Sequence, residues 1–99
     1  MGAQWFEVKI SNKKTAKDAF SEAIEEAQYD YGHSGYTGSI AEKTKFKIFK
    51  ESPLTPEDAE ELLYKIESEG DDRVDDKWGP AGCIQLTTGE YVFFGWASS

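Results

Sequence analysis

The segment Tyr91-Val92-Phe93-Phe94-Gly95-Trp96 is apolar on both faces of an extended chain, which constrains the fold more than any other stretch. Successive side chains of a strand point to opposite sides, so Val92, Phe94 and Trp96 face one way and Tyr91 and Phe93 the other. Two arrangements satisfy this pattern. Either the strand is central and covered on both sides, or its second face, with Trp5 and Trp78, is a surface that meets a partner protein or a second copy of the chain. The second is taken as the expectation, including a homodimer joined through this aromatic face.

The remaining elements follow from periodicity. Trp5-Phe6-Glu7-Val8-Lys9-Ile10 alternates apolar and charged residues, as does Lys45-Phe46-Lys47-Ile48-Phe49-Lys50, and both read as half-buried strands. Ala16, Ala19, Phe20, Ala23, Ile24, Ala27 and Tyr31 recur at helical spacing behind the Thr15-Ala16-Lys17-Asp18 capping signal, until Gly32 ends the pattern. A second helix opens at Thr55-Pro56-Glu57-Asp58, with a cap, a first-turn proline and acids at the positive end of the helix dipole. Ala59, Leu62, Leu63 and Ile66 form its apolar stripe, and Gly70 is its stop. Cys83–Thr87 and the Tyr91 segment form a hairpin around Thr88-Gly89. The order β-α-β-α-β-β predicts a single α+β domain over residues 1–99, its two helices packed on one face of a four-stranded, mostly antiparallel sheet.

Charge is divided unevenly. Residues 1–50 balance at +1 and residues 51–99 at -9, so the net charge of -8 belongs to the second half. With 38% hydrophobic and 14% aromatic residues this is a folding composition rather than an acidic tail. A negative surface repels nucleic-acid phosphates and attracts basic proteins. The residues expected to meet such a partner are Glu57, Glu61, Glu69, Asp71, Asp72, Asp75, Asp76 and Trp78. Direct nucleic-acid binding is disfavoured. One cysteine, Cys83, fits a reducing compartment and a core position, and neither a leader pattern nor an apolar run of membrane length is present, so a cytoplasmic location without membrane contact is expected.

Gly32 to Lys43 is the segment richest in potential chemistry. Its glycines allow close backbone approach, and His33, Ser34, Gly35, Tyr36, Thr37, Gly38, Ser39 and Lys43 are the candidate contacts for a phosphate-bearing ligand such as a nucleotide. Ser39-Ile40-Ala41-Glu42 has capping-box spacing, so a short helix starting at Ser39 would aim free amides back along the loop. The segment lacks a phosphate-loop fingerprint and follows a helix rather than a strand. The competing reading is a helix stop followed by a loop held by its own side chains. His33 beside three hydroxyl residues is the one arrangement that suggests a general base, and nothing in the spacing enforces it. The acidic run does not match a calcium loop, and one Cys with one His cannot build a tetrahedral zinc site. No catalytic residue, metal or cofactor is therefore assigned, and an enzyme is not expected.

The string Gly32-His33-Ser34-Gly35-Tyr36-Thr37-Gly38-Ser39-Ile40-Ala41-Glu42-Lys43, behind an alanine-rich amphipathic helix, resembles small uncharacterised proteins of bacteriophages and their hosts. The resemblance implies no residue roles. Small acidic phage proteins act by binding host factors, among them defence nucleases with basic surfaces, so it implies an inhibitor of a host factor working in the host cytoplasm. The leading expectation is thus a non-enzymatic acidic binding protein, with the ligand-binding loop as the alternative.

Overall fold

A computed structural model describes residues 2–31 and 37–98. The elements are β1 (Ala3–Ile10), α1 (Ala16–Tyr31), a 3-10 turn (Ile40–Glu42), β2 (Phe46–Ile48), α2 (Pro56–Glu69), β3 (Ala81–Gln85) and β4 (Tyr91–Ser98). They form an α+β domain around one four-stranded mixed sheet, ordered β1-β4-β3-β2. β4 runs antiparallel to both β1 and β3, while β2 and β3 are parallel.

Local chemistry sets the element boundaries. The hydroxyl of Thr15 accepts the Asp18 amide at 3.1 Å and starts α1, and that of Thr55 accepts the Asp58 amide at 3.2 Å and starts α2. Gly70 ends α2 with φ +87°, where a β-carbon is disfavoured. In the β3–β4 hairpin the Leu86 amide donates to the Glu90 carbonyl at 2.8 Å and the Gly89 amide to the Leu86 carbonyl at 2.9 Å, with Gly89 at φ +93°. That glycine bulge gives the turn the twist the two strands need.

The helices do not share a face of the sheet. Ala19, Phe20, Ala23 and Ala27 of α1 pack with Phe6, Ile10, Cys83, Tyr91 and Phe93, whereas Ala59, Leu63 and Ile66 of α2 pack with Ile84, Val92 and Phe94. Alternate residues of β3 and β4 therefore serve two cores, one on each side, which corrects the expected single-face packing. Topology supplies the reason. The parallel crossover from β1 to β2 carries the chain from one edge of the sheet to the other, and the crossover from β2 to β3 carries it back. Right-handed crossovers in opposite directions place their helices on opposite faces.

β4 is central, and this corrects the second expectation. Tyr91, Val92, Phe93 and Phe94 are all buried, with Phe93 fully so beneath Phe20 and Phe46 at centroid distances of 5.4 and 5.7 Å. The aromatic face proposed to join two copies is covered within the chain. Trp5 lies on the other, α2 side of the sheet, its ring 5.4 Å from Trp96 and 6.0 Å from Phe94.

Cys83 occupies the α1 core, 1% exposed, and burial pushes its thiol up to about 12. A thiol that does not ionise near neutrality is a poor nucleophile. Native protein at pH 7 should resist labelling by a maleimide over minutes and react fully once unfolded in denaturant. Stoichiometric labelling of the folded protein would remove Cys83 from the core.

Candidate functional site

Two regions carried the functional expectations, and the structure treats them differently. Gly32, His33, Ser34, Gly35 and Tyr36 lie outside the described residues. From Thr37 onward the segment is held by its own polar groups. The Thr37 hydroxyl and amide both donate to the Glu42 carboxylate, at 2.7 and 3.1 Å, and the same hydroxyl lies 2.7 Å from that of Ser39. Ser39 caps the 3-10 turn by accepting the Ala41 amide at 3.2 Å. The expected capping residue is thus in place, but Glu42 turns to Thr37 and a three-residue turn replaces a helix. Gly38, at φ +70°, donates its amide to the Ser98 carbonyl at 2.8 Å and ties the segment to the end of β4.

Lys43 points elsewhere. Its side chain is buried, and its ammonium donates to the Lys77 and Gly79 carbonyls at 3.1 and 3.0 Å. Burial holds its pKa below the usual lysine range, opposed by the negative charge of Asp76. The residue therefore clamps the start of β2 to the loop before β3. The Thr37 amide is thus taken by the Glu42 carboxylate, the Gly38 amide by the Ser98 carbonyl and the Ala41 amide by the Ser39 hydroxyl, and Lys43 is turned away from them.

The acidic region separates into two sets. Within the loop after α2, Asp71 pairs with Arg73 through two side-chain bonds of 3.0 and 2.8 Å, and the Arg73 guanidinium lies 3.7 Å over the Phe49 ring. The bond to Arg73 holds the Asp71 carboxyl below the ordinary carboxylate range. The Asp75 carboxylate accepts the Asp71 amide at 2.9 Å, and that of Asp76 accepts the Trp78 amide at 2.9 Å. These three aspartates build the loop. The signal was local, because aspartate accepting a backbone amide two residues on is a turn motif readable in Asp71-Asp72-Arg73 and Asp76-Lys77-Trp78.

The other set lies on α2. Glu57, Asp58, Glu60, Glu61, Glu67 and Glu69 are exposed, and Lys65 is the helix's one basic residue. None of these acids forms an ion pair among the described residues. Tyr64 is 75% exposed between them, and Trp78, 64% exposed, stands in the loop beyond the helix end. A 14-residue helix is about 20 Å long, so Glu57 and Glu61 mark one end of an acidic stripe and Glu69 the other, with Asp72 beyond it. Among the described residues no helix is long and apolar enough to cross a membrane, and no group of three or more His, Cys, Asp or Glu side chains is placed to hold a metal ion.

Comparison with known proteins returns no matching family model, no matching curated protein and no matching solved structure.

Proposed function

We propose that the chain is a non-enzymatic binding protein whose acidic α2 face, continued by Asp72 and Trp78, occupies a basic surface on another protein. One observation carries this reading: six exposed carboxylates share α2 with a single lysine and surround an exposed tyrosine. Such a face costs the monomer stability through self-repulsion, and it steers encounter with a positive surface. Tyr64 and Trp78 supply what charge alone does not, since exposed aromatics amid polar groups are the usual anchors of a protein interface. The resemblance to phage proteins directs the search for the partner toward host defence factors with basic, nucleic-acid-binding surfaces.

The test separates the helix from the loop. Charge reversal at Asp71, Asp75 or Asp76 would break the loop itself, so the informative variant is Glu57→Lys/Glu60→Lys/Glu61→Lys. With a partner recovered from host extract and purified, the triple variant should associate at least about tenfold more slowly at low salt while still unfolding in one cooperative transition. The wild-type rate should itself fall as salt shortens the Debye length from roughly 10 Å at 0.1 M. An unchanged association rate for the variant at low salt would exclude α2 as the docking face.

A further inference from the structure

β1 is an outer strand of the sheet, and the hairpin bond from Leu86 to Glu90 fixes what its free edge presents. That bond aims the even-numbered residues of β4 toward β3, so Tyr91, Phe93, Gly95 and Ala97 bond to Ile10, Val8, Phe6 and Gln4. Ala3, Trp5, Glu7 and Lys9 therefore aim their amides and carbonyls away from the sheet. A long unpaired edge is a template for another strand unless its side chains forbid it. Here the edge carries two charges of opposite sign, two residues apart.

We infer that β1 pairs with β1 of a second copy of this chain, antiparallel about a two-fold axis at Val8, giving a continuous eight-stranded sheet. The charges select that register. Edge hydrogen bonds require odd-numbered residues to face odd-numbered ones. A two-fold axis at Glu7 sets Glu7 against Glu7, and one at Lys9 sets Lys9 against Lys9, both repulsive. An axis at Phe6 faces Glu7 with Trp5 and Lys9 with Ala3, which pairs neither charge. With the axis at Val8, Glu7 faces the partner's Lys9 and Lys9 the partner's Glu7, while on the other face Phe6 meets the partner's Ile10 and Val8 meets its own counterpart. The Trp5 indole donates to the Glu7 carboxylate at 2.7 Å and holds that charge on the edge strand.

There is room for the partner on both sides of the strand. On the α2 side an open cleft of about 400 Å³ is lined by Glu7, Val8, Lys9, Ala59, Leu63 and Val92. A second, of about 330 Å³, runs along the α1 side past Phe6, Val8, Ala23 and Ala27. Val8, partly buried, and the edges of the two cores thus border the strand where the second copy's alternate residues arrive. The interface is isologous and closes at two subunits, so it does not propagate. Glu60 of α2 borders the first cleft and Gly38, Ser39 and Ile40 border the second, but the strand pairing itself uses only β1, so reversal at Glu7 and Lys9 tests it independently of the acidic-face reading.

The test is a charge swap read by sedimentation velocity from micromolar to millimolar protein in low salt. Wild-type protein should sediment as a concentration-dependent dimer. Glu7→Lys and Lys9→Glu, each at an exposed position, should each raise the dimer Kd at least about tenfold by opposing like charges, with unfolding transitions retained. The double variant Glu7→Lys/Lys9→Glu re-pairs opposite charges in the same register and should recover most of the loss. A strictly monomeric wild type would overturn the inference, showing that the two charges only blunt the edge. A dimer indifferent to the single reversals, or one not recovered by the double swap, would also overturn it.

Discussion

Phe93→Ala should cost the fold about 3–5 kcal/mol, the range for deleting a fully buried aromatic ring. Phe93 is 0% exposed, sits on the central strand, and is enclosed by Phe20 of α1 and Phe46 of β2 at centroid distances of 5.4 and 5.7 Å. Those two neighbours belong to separate elements, so no single local shift refills the void. A domain of this length holds roughly 5–15 kcal/mol in total, and the loss should lower Tm by roughly 15 °C or more. Thermal unfolding followed by circular dichroism measures it. A fall of only a few degrees would mean that α1 collapses onto the sheet and that the α1 core is looser than its burial indicates. Phe93→Leu keeps most of the volume and should cost about half as much or less.

The same residue shows how far the sequence could be read. Strand period, helix period and both helix starts were legible, because Thr15, Thr55, Pro56 and Gly70 act within a few residues of themselves. The apolar character of both faces of β4 was legible too, yet it left open whether the second face was covered by the chain or by a partner. What decides that is strand order. β4 lies between β1 and β3, and β2 runs parallel to β3 with Phe46 beside Ala81 and Ile48 beside Cys83. No local pattern announces that register. Once it is set, the direction of each crossover sends the two helices to opposite faces. The functional segment divides along the same line: the Ser39 cap and the aspartate turns are local, whereas the clamp of Lys43 on Lys77 and Gly79 joins elements distant in sequence.

The edge and the acidic face also follow from this topology rather than from composition alone. Covering both sides of β4 removes its aromatic face as a means of association, and two of the exposed features that remain bear on the proposals above. One is the outer face of α2, where like charges are crowded and which is proposed to meet a basic surface. The other is the rim of β1, where Glu7 and Lys9 carry the charges of the proposed pairing with a second copy. The two make opposite demands on salt-independent contacts. A partner held by α2 should be released by salt. A dimer held mainly by the main-chain bonds of β1 should weaken less, because hydrogen bonds and apolar contacts are not screened.

Gly82→Ala should destabilise the protein by about 3 kcal/mol, the upper end of overpacking costs, although it adds one methyl group in a strand. A β-carbon at Gly82 would fall 2.4 and 2.5 Å from two atoms of the Phe94 ring and 3.0 Å from Phe49. Gly82 faces Phe94 across the β3–β4 ladder, so the ring lies over the glycine and replaces the side chain the strand lacks. Neither ring can yield. Phe94 is fully buried and meets Phe49 edge-on at 4.9 Å, while the Arg73 guanidinium lies over Phe49. The clash should therefore spread to β3, to β4 and to the Asp71–Arg73 pair together. A double-mutant cycle identifies the cause. Phe94→Leu clears the space above Gly82, so Gly82→Ala should cost less in that background by about 1 kcal/mol or more. Costs that add within about 0.5 kcal/mol would show that the Phe94 ring is not what keeps residue 82 a glycine.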